Sequence, residues 1–176
     1  TVVLERGRAG VPVPSAPTAA PKGKTFVMFS DDLDRALATF VMANGAAATG
    51  QRVTIFFTFW GLNVIKKERK PRVAKDLMGR MFGWMMPSSS RTLPLSKMNM
   101  LGLGWRMMRQ RMKDKRVDSL EAMRDEALRQ GVEFIACQMS MDVMGVGREE
   151  LLDEVTVGGV ATYMERADRA NVNLFI

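Results

Sequence analysis

The chain has 176 residues, of which 47% are apolar and 26% are charged, a composition typical of one globular domain. Its formal net charge is +7, and it contains one cysteine, Cys137, and no histidine. These counts exclude a disulfide within the chain, a cysteine-cluster zinc site, and any catalytic site that needs an imidazole, such as Ser-His-Asp or Cys-His.

The first segment, residues 1–24, holds four of the seven prolines among Ala, Gly, Ser and Thr. Such a composition cannot bury enough apolar area to become ordered, so it predicts a flexible tail or linker before a single domain at 25–176. The segment lacks the long apolar run of a secretory signal. Together with the lone cysteine, this predicts a protein of the reducing cytoplasm.

The chain then predicts a β-α-β unit. The apolar run 25–30 is typical of a strand, and Asp31 and Asp32 follow it as helix caps. Apolar residues at helical spacing predict a helix that ends at Gly50. The run 53–59 is β-branched and aromatic without polar alternation, which favours a strand covered on both faces in a parallel sheet. Trp60 and Gly61 close that strand.

Residues 62–116 form a basic, methionine-rich insert, with fifteen Lys or Arg residues against three acids and nine of the sixteen methionines. The pattern predicts broken helices near 62–67, 73–83 and 104–113. No apolar run approaches the roughly 20 residues that a membrane-spanning helix needs.

Three functions fit this insert. Flexible methionine surfaces adapt to protein partners, which favours an oligomer or partner contact. Basic residues interleaved with Trp, Phe and Leu favour peripheral membrane contact through 84–112. Thioether binding of a soft metal such as Cu(I) is the third alternative. The charge alone would allow nucleic-acid binding, but the sequence contains no matching motif, so we do not predict it.

After the insert, Asp118 and Glu121 form a capping-box pattern for a helix that ends at Gly131. A strand at 132–136, a short helix to about 144, a weak strand at 154–156, a helix opened by Gly158-Gly159 and a strand at 171–176 complete the chain. Five strands separated by helices predict an α/β fold with a mainly parallel sheet.

Cys137 lies at a predicted strand-to-helix junction, at the carboxyl end of the strand and the amino end of the helix. Open α/β folds place ligands at the carboxyl ends of their strands, and a helix amino terminus favours the nucleophilic thiolate. The alternative is a small apolar residue packed at a strand end.

Four further residues end the first two strands, and we expect them on the same edge of the sheet as Cys137. As a pocket, they would wall the sulfur and hold an anion on it; as structure, they would cap helices and pack the core. These candidates are Ser30, Asp31, Trp60 and Gly61.

The chain resembles the DsrE/DsrF/DsrH-like family of sulfur-transfer proteins, also called peroxiredoxin-like, in the branch with a long insert after the second strand. The resemblance covers about 25–176 and depends on several segments together. These are Phe26-Val27-Met28-Phe29-Ser30, Phe56-Phe57-Thr58-Phe59-Trp60-Gly61-Leu62, Lys97-Met98-Asn99-Met100, the run from Ile135 to Gly145, and Gly158-Gly159-Val160-Ala161-Thr162-Tyr163.

The resemblance implies a three-layer α/β/α sandwich with a five-stranded sheet, homo-oligomers, and Cys137 as the residue that carries sulfane sulfur as a persulfide. We therefore predict a sulfur carrier or sulfurtransferase-like protein without a cofactor or metal, a carrier more than a turnover enzyme. Its partners would be sulfur donor and acceptor proteins or small sulfane-sulfur compounds. The alternatives are a non-catalytic partner- or membrane-binding module with a structural cysteine, and a thiol peroxidase.

Overall fold

The computed structural model describes residues 23–68, 87, 89–97 and 103–176, and these form a five-stranded sheet. All its strand pairs are parallel. Their order across the sheet is β4-β3-β2-β1-β5. The strands are β1 (Gly23–Met28), β2 (Val53–Phe57), β3 (Glu133–Cys137), β4 (Thr156–Gly158) and β5 (Ala170–Phe175).

Helices connect these strands, as a parallel sheet requires. The α-helices are α1 (Leu33–Ala48), α2 (Leu103–Asp114), α3 (Leu120–Arg129), α4 (Gln138–Met144) and α5 (Val160–Asp168). Short 3₁₀ helices lie at Phe59–Ile65, Ser90–Thr92 and Arg148–Glu150.

The central strand β2 is buried along its whole length, as its unbroken apolar run predicts. In the register of the sheet, Phe56 of β2 pairs with Val27 of β1 on one side and with Ile135 of β3 on the other. Because paired residues of parallel strands point to the same face, each strand alternates between two separate apolar layers.

The larger layer is the main core, in which side chains of α1 and α3 pack on one face of the sheet. Phe40 of α1 and Phe57 of β2 both contact the ring of Phe134 on β3, at centroid distances of 5.8 and 5.3 Å. The opposite face carries a smaller layer, built from Phe56, Ile135 and Cys137 and packed by Tyr163 of α5. The three-layer α/β/α architecture with a parallel five-stranded sheet is therefore confirmed.

Several element boundaries differ from the prediction. β1 begins at Gly23, within the segment predicted as tail, because Gly23 pairs with Ala170 of β5. β2 ends at Phe57, and the backbone turns at once into the 3₁₀ helix. β4 lies at 156–158 and not at 154–156, because its three residues pair with the last three residues of β3, which ends at Cys137.

The capping box predicted for α3 is also wrong. Ser119 and not Asp118 is the N-cap, and its hydroxyl accepts a hydrogen bond from the backbone N–H of Ala122. Glu121 instead accepts two hydrogen bonds from Arg109 of α2, at 2.9 and 3.0 Å. A basic residue of the insert therefore anchors α2 to the core helix α3.

The insert is described only in part. Its described helical elements are the end of the 3₁₀ helix at 59–65, the 3₁₀ helix at 90–92 and α2, which corresponds to the helix predicted at 104–113. The helix predicted at 73–83 and most of the Lys97–Met100 motif lie outside the described residues. No helix within the described ranges is both long and apolar enough to cross a membrane.

Candidate functional site

Cys137 is the last residue of β3 and the N-cap of the seven-residue helix α4. The predicted strand-to-helix junction is therefore present at this residue. Its side chain makes no capping hydrogen bond to the first turn of α4.

The Cys137 thiol is buried in the single chain, since the residue is only 1% exposed. It belongs to a small apolar cluster with Phe56 and Ile135, packed by the partly buried side chains of Val27 and Tyr163. The sequence predicts a sulfur atom that solvent can reach at an open edge of the sheet, whereas in the isolated chain the sulfur is covered.

Two buried hydroxyl groups link the end of β2 to the first turn of α4. Thr58 immediately follows Phe57, the partner of Ala136 in the sheet, and its Oγ1 lies 2.8 Å from Oγ of Ser140. Both residues are buried, at 8% and 0% exposure. This pair holds α4, and with it the backbone beside Cys137, against the end of β2.

Helix α5 covers the face of the sheet on which the Cys137 cluster lies. The ring of Tyr163 packs on Phe56 at 5.1 Å, and its hydroxyl lies 3.4 Å from Oγ1 of Thr25. No side chain of α5 is fully buried, and Val160 and Met164 are more than half exposed. The helix is therefore attached to the sheet by few contacts.

The second attachment of α5 is a charged pair at the far end of β3. Nε and Nη2 of Arg166 donate to the two carboxylate oxygens of Glu133, at 2.9 and 3.1 Å. Thr54 donates a third hydrogen bond to Glu133 at 2.9 Å. These donors, Arg166 first, lower the pKa of Glu133 below its usual 4.5 although partial burial opposes them, so the pair is ionised at neutral pH.

The predicted pocket residues Ser30 and Asp31 have other partners. Ser30 donates to a carboxylate oxygen of Asp32 at 2.7 Å and accepts from its backbone N–H at 3.0 Å. Asp31 accepts a hydrogen bond from the side chain of Asn63 at 2.9 Å. Burial raises the pKa of Asp31 above 3.8, and the charge of Asp32 adds to this, whereas Asn63 and the charge of Lys66 lower it.

The amide oxygen of Asn63 is buried and has no hydrogen-bond partner within the described part of the chain. The Asp31–Asn63 pair is thus an incompletely satisfied polar centre at the ends of β1 and β2. Neither residue belongs to the apolar cluster of Cys137.

Gly61 brings the end of β2 against the end of β1. Its N–H donates to the carbonyl of Phe29 at 2.8 Å, and a Cβ at this position would overlap the carbonyl oxygen of Met28. Trp60, beside it, is 38% exposed, and Phe59 has a positive φ of 47°, which is unusual for a residue with a side chain. These residues shape a sharp turn at the edge of the sheet where Phe29, Trp60 and Phe175 are exposed.

The sequence does not single out several residues that the structure groups with Cys137 or attaches to its cover. One signal is available: Glu133 is a charged residue inside an otherwise apolar strand, and such a residue needs a partner. For Tyr163, the chain's single tyrosine, the helical spacing predicts a position on an apolar helix face but not its contact with the Cys137 cluster. The residues that sequence reasoning misses are Val27, Phe56, Thr58, Glu133, Ser140, Tyr163 and Arg166.

Comparison with protein families gives a match to the DsrE/DsrF/DrsH-like family over residues 21–175. Two relatives match nearly as far. One is the uncharacterized protein YrkE of Bacillus subtilis, 45% identical over 159 residues, which cover 90% of this chain and 99% of the relative. The other is the sulfur carrier protein DsrE2 of Allochromatium vinosum, 36% identical over 148 residues, which cover 82% and 91% of the two chains.

Two solved structures have the same fold at low sequence identity. The ychN protein from Escherichia coli superposes with a TM-score of 0.52 at 11% identity, over 88% of this chain and 99% of the other. A protein of unknown function from Methanobacterium thermoautotrophicum, MTH1491, gives a TM-score of 0.54 at 16% identity with the same coverage.

Proposed function

Because the chain belongs to the DsrE/DsrF/DsrH-like family, we propose that it relays sulfane sulfur and that Cys137 carries the sulfur as a persulfide. Family membership and a 36% identical sulfur carrier support a sulfur-relay role at the level of the family. The observation that carries the residue assignment is the position of the chain's single cysteine, between the end of β3 and the first residue of α4.

One thiol is sufficient for this chemistry. The Cys137 thiolate attacks the outer sulfur of a donor such as thiosulfate, forms a new S–S bond and releases sulfite with the electron pair of the broken bond. The product, Cys–S–S⁻, then loses its outer sulfur to the thiolate of an acceptor, which regenerates the Cys137 thiolate. The chain returns to its starting state without a second cysteine, and no cofactor takes part.

The proposal requires the thiol to become accessible, and α5 is the element that would move. Its attachment includes the Tyr163 packing, the Arg166–Glu133 pair and a hydrogen bond from the side chain of Asn173 to the carbonyl of Ala167, and the helix has no fully buried side chain. Displacing it would uncover the small layer of Phe56, Ile135 and Cys137, but α5 has no fully buried side chain of its own to extract, and such weakly packed elements open most readily. We assign α5 as the cover of the persulfide site.

Partners and location follow from the same assignment. The acceptor and donor would be proteins or small sulfane-sulfur compounds that reach the sheet edge when α5 opens, and the protein would work as a homo-oligomer. A reducing compartment such as the cytoplasm keeps the thiol available. Contact through residues 84–112 of the basic insert, with a partner or a membrane surface, belongs to the same proposal.

Intact-mass measurement tests the persulfide assignment directly. Reduced protein is incubated with thiosulfate or polysulfide, and we expect the mass to increase by one sulfur atom, which dithiothreitol removes again. Cys137→Ser should gain no sulfur. Equal gain of sulfur in wild type and Cys137→Ser would contradict the assignment. The assignment would also be contradicted if neither wild type nor a Tyr163→Ala variant gained sulfur, provided that the thiol of the variant has been shown to react with iodoacetamide.

The burial of Cys137 favours a second candidate, a non-catalytic binding module in which the cysteine only packs the small layer. In that case Cys137→Ser would keep full function in cells. Removal of residues 84–112 would instead abolish assembly or localisation.

A further inference from the structure

A cleft of about 800 Å³ lies at the amino ends of the strands, away from the end of β3 that carries Cys137. It is bounded by the first residues of β1 and β2, the turn before β3, and the end of α5. Its volume is within the range of roughly 300 to 1,000 Å³ usual for small-molecule sites. Its lining residues are Gly23, Lys24, Thr25, Arg52, Val53, Thr54, Gly131, Glu133, Arg166 and Arg169.

The charge of this lining is strongly one-sided. Four cationic side chains, Lys24, Arg52, Arg166 and Arg169, face a single carboxylate, that of Glu133. The carboxyl end of α5 adds a partial negative charge of about half a unit, which is small beside this excess of positive charge.

Glu133 does not compensate the remaining cations, because its oxygens are occupied by Arg166 and Thr54. Arg169 is paired with Glu165, on the solvent side of α5, at 3.0 Å. Two cations are left without an ionic partner among the described residues: Lys24, which donates to the neutral amide of Asn171 at 2.7 Å, and Arg52, whose side chain makes no hydrogen bond there.

We propose that this cleft binds a small molecule that bears a phosphate or diphosphate group, held by Lys24 and Arg52. Arginine offers two parallel N–H donors to the oxygens of a phosphate, and lysine offers a point charge with donors still free. The hydroxyl groups of Thr25 and Thr54 donate to Asn173 and Glu133, so Lys24 and Arg52 are the donors left for the phosphate, and the remaining volume accommodates an organic group. The cleft lies at the opposite end of β3 from Cys137, since its residues lie at or near the amino ends of their strands or in the last turn of α5 and just beyond it.

Calorimetric titration with inorganic pyrophosphate tests this site, with sodium chloride at equal ionic strength as the blank. We expect saturable binding with one site per chain. The double variant Lys24→Gln/Arg52→Gln should weaken it by about tenfold or more, as expected for the loss of hydrogen bonds to a charged group. Adenosine monophosphate in the same titration tests whether an organic body adds affinity.

The matched control removes two positive charges elsewhere, through Arg111→Gln/Lys113→Gln on the exposed side of α2. This variant should bind pyrophosphate as wild type does. Equal weakening in both double variants would show only general attraction to a basic protein and would overturn the site, as would the absence of saturable binding. Circular dichroism and Tm of each variant establish that it is folded, and Cys137→Ser should bind unchanged.

Discussion

At the scale of single residues, Gly61 is a position where the backbone leaves no room for a side chain. A Cβ at this position would meet the carbonyl oxygen of Met28, a backbone atom of the interior strand β1 that cannot rotate away. We predict that Gly61→Ala destabilises the protein by about 3 kcal/mol, the upper part of the usual range for overpacking. Urea unfolding at pH 7 measures this loss.

Gly45→Ala is the matched control for Gly61→Ala. Gly45 lies inside α1, and an added Cβ would meet nothing within 4 Å. Because alanine is the better helix former by about 1 kcal/mol, this variant should be as stable as wild type or more stable. A Gly61→Ala protein that unfolds at the same urea concentration as Gly45→Ala would contradict the close approach.

At Asp31 we predict a substitution that stabilises the protein, in contrast to Gly61→Ala, which destabilises it. Its raised pKa means that the folded state binds its proton more tightly than the unfolded chain does, so ionised Asp31 costs stability above that pKa. Asp31→Asn keeps an acceptor for Asn63 and removes the buried charge. We therefore expect the variant to be more stable than wild type at pH 7.

The pH dependence of the Asp31→Asn difference identifies its cause. The advantage of the variant should shrink as the pH falls through the raised pKa towards 3.8, where wild-type Asp31 becomes protonated. Asp153→Asn serves as comparison, because Lys67 lowers the pKa of the exposed Asp153 and its removal should give no gain. A loss of stability in Asp31→Asn at pH 7 would show that its charge has a favourable partner.

At the scale of elements, the proposed role of α5 as the cover of Cys137 can be tested through its attachment to the sheet. The Arg166–Glu133 pair is about one third exposed at each side chain, so it contributes no more than about 1 kcal/mol. We predict that Arg166→Gln increases the rate of Cys137 alkylation by iodoacetamide by up to about fivefold, because the open form becomes that much more populated. Tyr163→Ala, which removes part of the cover itself, should increase it further.

The measurement is unambiguous because the chain has one cysteine, so the total label reports one site. Arg169→Gln is the control: Arg169 is also near the end of α5, but its ion pair is with Glu165 of the same helix and not with the sheet. Equal rates for wild type, Arg166→Gln and Tyr163→Ala would show that the thiol is reached by another path or only on global unfolding.

The helices and strands are predictable from the sequence where the spacing of apolar residues and the residues that begin or end an element indicate the same boundaries. The unbroken apolar run of β2, the helix ending at Gly50 and the helix opened by Gly158-Gly159 are each present close to the expected position. The junction at Cys137 is predictable for the same reason, since a run of apolar residues ends there. The edge strand β4 is shifted by two residues, because its position depends on pairing with β3 and not on its own composition.

The surroundings of Cys137 are not predictable in the same way. Which face of β3 the thiol lies on follows from the register, but what covers that face depends on where α5 packs after β4. The sequence assigns the edge residues Ser30 and Asp31 to the thiol because strand ends share an edge. Side chains at those ends still point to different faces or bond within their own turn, as Ser30 does with Asp32.

At the scale of the whole molecule, two of the exposed apolar surfaces among the described residues differ in charge. On α2, the exposed side chains of Leu103 and Met107 share the helix with the basic residues Arg106, Arg111 and Lys113. At the sheet edge, Phe29 contacts Phe59 and Phe175 with centroid distances of 5.5 and 5.7 Å, and Phe175 is 72% exposed. We call the residues Phe29, Trp60 and Phe175 the aromatic edge.

The two surfaces suit different partners. In a symmetric dimer a surface meets its own copy, so association through α2 would bring cations against cations, which is unfavourable. The aromatic edge has no such penalty, because its exposed side chains are uncharged. The proposed homo-oligomer therefore fits the aromatic edge, and the basic insert fits an acidic partner.

Sedimentation velocity distinguishes these assignments with a pair of matched substitutions. Phe175→Asp and Met107→Asp each place one carboxylate on a side chain that is about 70% exposed, at 72% and 68%, so neither should unfold the chain. We expect wild type and Met107→Asp to sediment as the same oligomer and Phe175→Asp to shift towards monomer, because burying a carboxylate between copies carries a large desolvation penalty. Dissociation by Met107→Asp alone would move the contact to the insert, and a monomeric wild type would contradict self-association altogether.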